Sequence, residues 1–384
     1  MRLPSHAAPV GVLTACLGLP LRGAWLAGRD LAALWRFPPP LSIPAHYPHF
    51  SWWAAALVLG AGAAVAAPWL RRRSRTAGPG LVGRPSGGQS FPVWGWWAAG
   101  WTLVWWWLAW TRQPWFAWGQ RYTFTPLWLG LILTVNALTA AGGGDRLMRR
   151  APRRWLGLFG ASAGFWWVFE WLNRFVHNWH YLGVEGVGPR EYAIHSTVCF
   201  STVLPAVAGV REWLATRPRL QARLAAGPAW TGLTHRGNGA ALVTAGAAGL
   251  LLTGAQPLYF YPALWAAPLL LGVGFAVLGR ADGWWRGLAA GDWRDAGSWA
   301  LAALGCGLFW ELWNLHSQAK WIYTVPFVQR WRVFEMPLLG YSGYLTFGLE
   351  CALATAWVLG CDDGRAEPAA PHPPRDQAAG RPRT

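Results

Sequence analysis

The sequence predicts an all-α membrane protein: a polytopic helix bundle of about nine transmembrane helices, built from two parallel four-helix repeats. Three observations lead there. Of the 384 residues, 54% are hydrophobic and 13% are charged, against roughly 25% charged in soluble domains. The apolar residues gather in runs close to the ~20 residues that a bilayer requires. One constellation of residues also recurs about 140 positions further along the chain, as a duplicated chain would show.

The formal charge of +17 rests on Arg, with Lys320 as the single lysine. A basic balance often signals nucleic acid. Here the arginines lie in short loops between apolar runs, so the lipid bilayer is the expected partner and nucleic acid is not. The 33 Trp residues suit the membrane interface, where the ring is apolar and the N–H stays hydrated. Cys16, Cys199, Cys306, Cys351 and Cys361 show no CxxC spacing, so neither a disulfide framework nor a zinc site is expected. No Walker loop, Gly-x-Ser-x-Gly elbow or Rossmann fingerprint appears, and no cofactor is implied.

In chain order, residues 1–50 read as an interfacial or broken helix, because Pro20 and Arg22 interrupt the apolar run from Val10 to Leu19. Leu13-Thr14-Ala15-Cys16 also fits a lipoprotein cleavage pattern, but the charged and apolar regions before it are weak for a signal peptide. Five prolines make 37–49 a loop. Residues 51–92 hold an extra transmembrane helix and a basic cytoplasmic loop, 93–237 the first repeat, 238–360 the second, and 361–384 a disordered cytoplasmic tail. The nine spans fall near 51–70, 93–111, 123–141, 155–173, 192–210, 238–254, 258–279, 297–315 and 336–360.

Running the first span from outside to inside places 22 basic residues in the inner loops and tail and 7 in the outer loops, with 4 in the amino-terminal segment. This is the positive-inside bias. It predicts a multi-pass protein of a bacterial inner membrane, with a cytoplasmic C-terminus and an N-terminus outside.

The duplication is visible in residues. Phe124-Thr125-Pro126-Leu127-Trp128 matches Tyr261-Pro262-Ala263-Leu264-Trp265. Glu170 and Asn173 match Glu311 and Asn314, and Trp179-His180-Tyr181 matches Trp321-Ile322-Tyr323 after a one-residue insertion. From there the copies align without a gap, pairing Tyr192 with Phe334, His195 with Pro337 and Ala208 with Glu350. Four spans per repeat is an even number, so both copies face the same way, about an axis along the membrane normal.

Carboxylates inside lipid cost roughly 2.5 kcal/mol or more and mark candidate sites. Glu170 with Asn173, and Glu311 with Asn314, each share a helix face at i and i+3, close to the outer boundary. The structural alternative is neutralisation by Asn and a nearby Arg174 or Lys320. Glu350 lies within the last span and has no acidic counterpart in the first copy. Gly343, Phe347 and Glu350 share a face, and the alternative role for Glu350 is an inter-helix hydrogen bond. Glu335 precedes Met336-Pro337, an apparent helix start, where an acid suits the positive helix end. His177, His180 and His195, with Glu170 nearby, could be assembled into a metal site, but His177-x-x-His180 is a weak signal without a third ligand fixed in register, so no metal is expected. Trp166-Trp167, Trp105-Trp106-Trp107 and Trp52-Trp53 read as lipid-facing or interfacial.

Over about 40 residues, the series Glu311, Trp321-Ile322-Tyr323, Glu335-Met336-Pro337 and Glu350 resembles the membrane lycopene cyclases and carotenoid hydratases. Leu338-Leu339-Gly340 stands where those cyclases place paired acids. The chain as a whole resembles a family of bacterial polytopic membrane proteins. The first resemblance implies acid-dependent chemistry on an apolar isoprenoid.

The expected function is therefore an intramembrane enzyme acting on an isoprenoid, carotenoid or other lipid near the outer face. Glu311, Glu350 or Glu170 would serve as acid–base groups, with Asn314 and Asn173 orienting them. Trp321, Tyr323, Trp179, Tyr181, Glu335, Tyr341 and Tyr344 would line the substrate site. Protonating a double bond requires a carboxyl that keeps its proton at neutral pH, which desolvation favours. A transporter with its pathway between the repeats, and a membrane scaffold, are the rival expectations.

Overall fold

Within lipid a chain must satisfy its own backbone hydrogen bonds, and a helix does so within one segment. In the computed structural model, which describes residues 7–41, 43, 48–71 and 89–360, every long apolar run is helical. The main elements are α1 (Ala7–Leu26), α2 (Trp52–Arg71), α3 (Val93–Trp110), α4 (Phe124–Ala141), α5 (Pro152–Val176), β1 (Trp179–Leu182), α6 (Pro189–Phe200) and α7 (Val203–Ala215). They continue with α8 (Arg236–Ala255), α9 (Ala263–Leu278), α10 (Arg294–Asn314), β2 (Lys320–Tyr323), β3 (Arg332–Val333), β4 (Met336–Pro337) and α11 (Ser342–Leu359). Among the described residues, four helical stretches are long and apolar enough to cross a membrane: Ala7–Leu26, Phe124–Ala141, Pro189–Ala215 and Arg236–Ala255. The basic loop at 72–88, Cys361 and the tail from 361 lie outside the described residues.

The start of the chain departs from expectation. Residues 7–26 form one continuous helix with Pro20 inside it, where the sequence suggests an interfacial or broken one. Proline removes one helical hydrogen bond, and packing offsets that loss here. A Cβ on Gly254 of α8 would lie 1.8 Å from the Pro20 carbonyl oxygen, and one on Gly23 would lie 1.9 Å from that of Leu251. Two glycines thus bring the backbones of α1 and α8 into direct contact, the way helices associate where burial from water gives no driving force.

The end of the second half also differs. Met336-Pro337 does not begin a helix: Arg332–Val333 pairs antiparallel with Met336–Pro337, a 3-10 turn covers Leu338–Tyr341, and α11 starts at Ser342. The proline ring fixes φ without fixing ψ, and Pro337 has ψ 139°, which is extended. Glu335 is therefore in a tight turn and not at a helix N-terminus.

The helices pack in matched sets. α3 lies against α4 and α8 against α9; α4 meets α7 and α9 meets α11; α5 meets α7 and α10 meets α11. Across the halves, α10 packs on α7 while α5 packs on α11, and α3 touches α10 while α8 touches α5. Aromatic rings follow the same rule. Trp128 of α4 contacts Trp310 of α10 at 4.8 Å between centroids, and its match Trp265 of α9 stacks on Phe169 of α5 at 5.3 Å. Such aromatic pairs contribute about 0.5–1.5 kcal/mol each beyond area. α1 has no equivalent and packs on α8, α5 and α9.

Candidate functional site

Each half builds its carboxylate site from the end of one helix. α5 stops at His177, whose φ of 53° is left-handed. The Asn173 side chain then captures the departing strand: its Nδ2 donates to the Trp179 carbonyl at 2.9 Å, and its Oδ1 accepts from the Asn178 N–H at 2.8 Å. α10 ends likewise, with Asn314 Nδ2 donating to the Trp321 carbonyl and Oδ1 accepting from its N–H, both at 2.7 Å. Asn173 and Asn314 thus clamp the strands, and they position the site without orienting the carboxyls directly. The two strands so held pair with each other antiparallel, Trp179 opposite Tyr323 and Tyr181 opposite Trp321. Matched residues exchange places across that pair.

The strands aim phenols at the glutamates one turn inside the helices. Tyr181 donates to Glu170 Oε1 at 2.6 Å, joined by Trp179 Nε1 at 3.0 Å and Trp166 Nε1 at 3.1 Å. In the second half Tyr323 donates to Glu311 Oε1 at 2.7 Å and Tyr344 does so at 2.9 Å, while Trp321 Nε1 donates to the Tyr323 oxygen at 2.8 Å. Hydrogen bonds to a charged acceptor are worth about 1.5–3 kcal/mol each. Glu311 is fully buried, and its second oxygen, Oε2, has no partner among the described residues. Burial, with Glu311 beside it, holds the Tyr323 phenol well above the usual range, and burial with Glu170 does the same for Tyr181. Both stay neutral O–H groups.

Glu170 has three donors and Glu311 two, and the donor beside the tyrosine of the strand differs for a spatial reason. By the register that matches Glu170 with Glu311, Gly307 stands where the first half has Trp166. A Cβ on Gly307 would lie 2.5 Å from the Tyr344 ring. The missing side chain leaves the space that Tyr344 fills from α11, where the first half carries Thr202. An indole from one helix is thus replaced by a phenol from another, on the same carboxyl position.

Tyr181, Tyr323 and Tyr344 open onto one cavity of about 380 Å³ with mostly apolar walls, to which the aromatic rings of Trp166, Trp265 and Phe347 contribute. Its volume falls within the range of small-molecule sites. Trp179 and Trp321 also line it, and Lys320 sits at its edge. Lys320 pairs with Glu335 and not with Glu311, so Glu335 reaches the cavity only through that lysine. Tyr341 turns away from the cavity and donates to the Val333 carbonyl at 3.0 Å.

Glu350 stands apart from this cavity. It is 3% exposed, near Cys16 of α1, and its carboxyl lies by the Leu269 backbone of α9 without closing a hydrogen bond. Phe347, one turn earlier, does line the cavity. The shared helix face thus divides, with Phe347 reaching the cavity and Glu350 a neighbouring interface.

Trp166 is the residue the sequence misleads on. It turns inward onto Glu170, whereas Trp52 and Trp53 are 66% and 83% exposed. Its indication in the sequence is its place one turn before Glu170, on the same face. The histidines separate: His177 and His180 stack with centroids 6.2 Å apart, and His195 Nε2 lies 3.5 Å from Cys199 Sγ. His180 Nε2 contacts Thr324 Oγ1 at 2.9 Å, and that hydroxyl donates to the His177 carbonyl at 2.6 Å. Burial, with His177 alongside, holds the His180 imidazole down to about 4. Among the described residues no three His, Cys, Asp or Glu side chains are grouped to hold a metal ion.

The chain is a helical, tryptophan-rich protein with apolar helices of membrane-spanning length, and it carries two carboxyl–tyrosine centres on one cavity. No family model, curated protein or solved structure matches it.

Proposed function

We propose that the chain is a multi-pass membrane enzyme that takes an apolar isoprenoid or other lipid chain into the aromatic cavity and acts on it by proton transfer. The observation that carries this reading is the convergence of two glutamate–tyrosine pairs on a single cavity with mostly apolar walls. The tyrosines are the contact groups. With Glu311 protonated, the Tyr323 or Tyr344 O–H turns from Glu311 to a substrate double bond and gives its proton there, while its oxygen takes the proton that Glu311 releases. The carbocation formed then loses a proton elsewhere or takes up water. Aromatic faces such as Trp310 and Phe347 stabilise a developing cation. Glu170 with Tyr181 is the matching centre, carried by the neighbouring strand. The apolar lining favours this over a transporter, whose pathway would need polar groups along its length.

Two parallel repeats of four spans, 93–237 and 238–360, support the architecture in this reading. The exchange of Trp179–Tyr181 with Trp321–Tyr323 across one strand pair, and the matched helix contacts, fit a twofold axis along the membrane normal. With α2 running from outside to inside, the strands lie at the outer face and the C-terminus is cytoplasmic. A continuous α1 adds a tenth span, which carries the N-terminus to the cytoplasmic side. This reverses the expectation drawn from a broken helix.

Lipid extracts of a host expressing wild type, Glu311→Gln and Glu350→Gln test the activity. The expected result is a lipid species changed by wild type and by Glu350→Gln but not by Glu311→Gln. Identical profiles for all three and for an empty host would overturn the reading.

A further inference from the structure

Beside the aromatic cavity lies a second one of about 480 Å³, and the two share Trp179, Tyr181, Val184, Val187 and Tyr192 as a common wall. Its chemistry is different. Arg29, Arg36, Arg174, His177 and His180 line it, together with the carboxylates Asp30, Glu170 and Glu185. Half-buried guanidinium groups ordinarily meet a carboxylate. Among the described residues neither Arg29 nor Arg174 does. Arg29 donates to the Gly254 and Phe175 carbonyls at 2.9 and 3.3 Å, and Arg174 Nη1 donates to the Leu34 and Arg36 carbonyls at 2.7 and 2.8 Å. These bonds fix both side chains and leave further N–H donors on each, since a guanidinium carries five.

The nearby carboxylates are committed or peripheral. Glu170 Oε1 already accepts from three donors, Asp30 is exposed and bonds the Ala32 N–H, and Glu185 is exposed at the rim. Arg174 feels the Glu170 charge without reaching ion-pair distance, and fixed guanidinium groups with spare donors and no direct carboxylate partner match the fork geometry of phosphate oxygens.

We propose that this second cavity binds a phosphate-bearing head group, so that the ligand of the paired cavities is an amphiphile: an isoprenoid or other lipid chain among the aromatic rings, with its phosphate on Arg29 and Arg174. This rests on the aromatic cavity being a lipid-chain site, and it narrows the substrate class from apolar lipids to phosphorylated ones. The five residues that line both cavities place the phosphate side directly beside the chain side, with the Tyr181 strand at their border.

The test uses the full chain in phosphatidylcholine nanodiscs, with binding followed by quenching of tryptophan fluorescence. Three probes are titrated: a prenyl monophosphate, the prenyl alcohol of the same length, and inorganic phosphate. The expected result is that the prenyl phosphate binds at least tenfold tighter than the alcohol and that inorganic phosphate binds weakly and competes with the prenyl phosphate alone. In Arg29→Gln/Arg174→Gln the difference between phosphate and alcohol disappears while alcohol binding persists. Because these arginines also brace backbone carbonyls, the wild-type comparison of the two prenyl probes stands as a test without any variant. Equal, tight binding of phosphate and alcohol by wild type would overturn the head-group site and leave the chain cavity intact. Inorganic phosphate binding as tightly as prenyl phosphate would overturn the amphiphile in favour of a free anion. Binding of neither prenyl probe would instead overturn the lipid cavity itself.

Discussion

Replacing the Tyr344 donor of the second half with the indole donor of the first tests how the two carboxylate centres are built. Gly307→Trp alone drives an indole into space already held by Tyr344, whose ring lies 2.5 Å from where even a Cβ would be. Overpacking of this kind costs about 1–3 kcal/mol, and displacing the Tyr344 hydroxyl from Glu311 forfeits about 1.5–3 kcal/mol more. Tyr344→Thr alone empties a buried ring site, at about 3 kcal/mol or more. The double variant recreates the arrangement of Trp166 and Thr202. The indole fills the vacated space and its N–H reaches the carboxyl, as Trp166 reaches Glu170 at 3.1 Å. A double-mutant cycle should therefore return a favourable coupling of about 2 kcal/mol, read as thermal unfolding in nanodiscs by tryptophan fluorescence. A double variant whose destabilisation equals the sum of the singles would refute the shared-position argument.

Two further outcomes follow from burial. Glu350→Met removes a buried carboxyl with no closed hydrogen bond and should raise stability by about 1–3 kcal/mol; a loss of similar size would mean that the carboxyl has a partner. His180 is held down to about 4 against about 6.5 in an unfolded chain, so the unfolded state binds the extra proton first. Its contribution is complete above pH 6.5 and declines as pH falls through 6.5 toward 4, by at most about 3 kcal/mol. The thermal midpoint should drop over that window in wild type, and the same drop in His180→Gln would assign it to another group.

Much of this protein could be read in the sequence because membranes constrain it. The long apolar runs could only be helices, and the pairs Glu170–Asn173 and Glu311–Asn314 lie in the last turns of two of them. What the Asn residues do was not legible, because an i, i+3 spacing shows a shared face and not which neighbour the side chain grips. Tyr344 was legible as a tyrosine near the site, but its bond to Glu311 depends on the space at Gly307, on another helix. Pro20 suggested a broken helix because proline reports a lost hydrogen bond, whereas the compensating contact lies on Gly254, more than two hundred residues away. Trp166 resembled its lipid-facing neighbours because composition does not distinguish an inward indole from an outward one. Glu350 reads from the sequence as an intramembrane acid like the others, and only the packing of α1 and α9 around it separates it from the cavity.

The proposed function requires a lipid chain in the aromatic cavity that Tyr181, Tyr323 and Tyr344 line. A prenyl probe with a photoreactive diazirine at its chain end, irradiated with the full chain in nanodiscs and mapped by peptide mass spectrometry, addresses it directly. Label is expected on cavity residues such as Trp310, Phe347 and Phe200, reduced by excess unlabelled prenyl lipid. Label confined to the outward indoles Trp52, Trp53, Trp96 and Trp97, and unaffected by competitor, would contradict it.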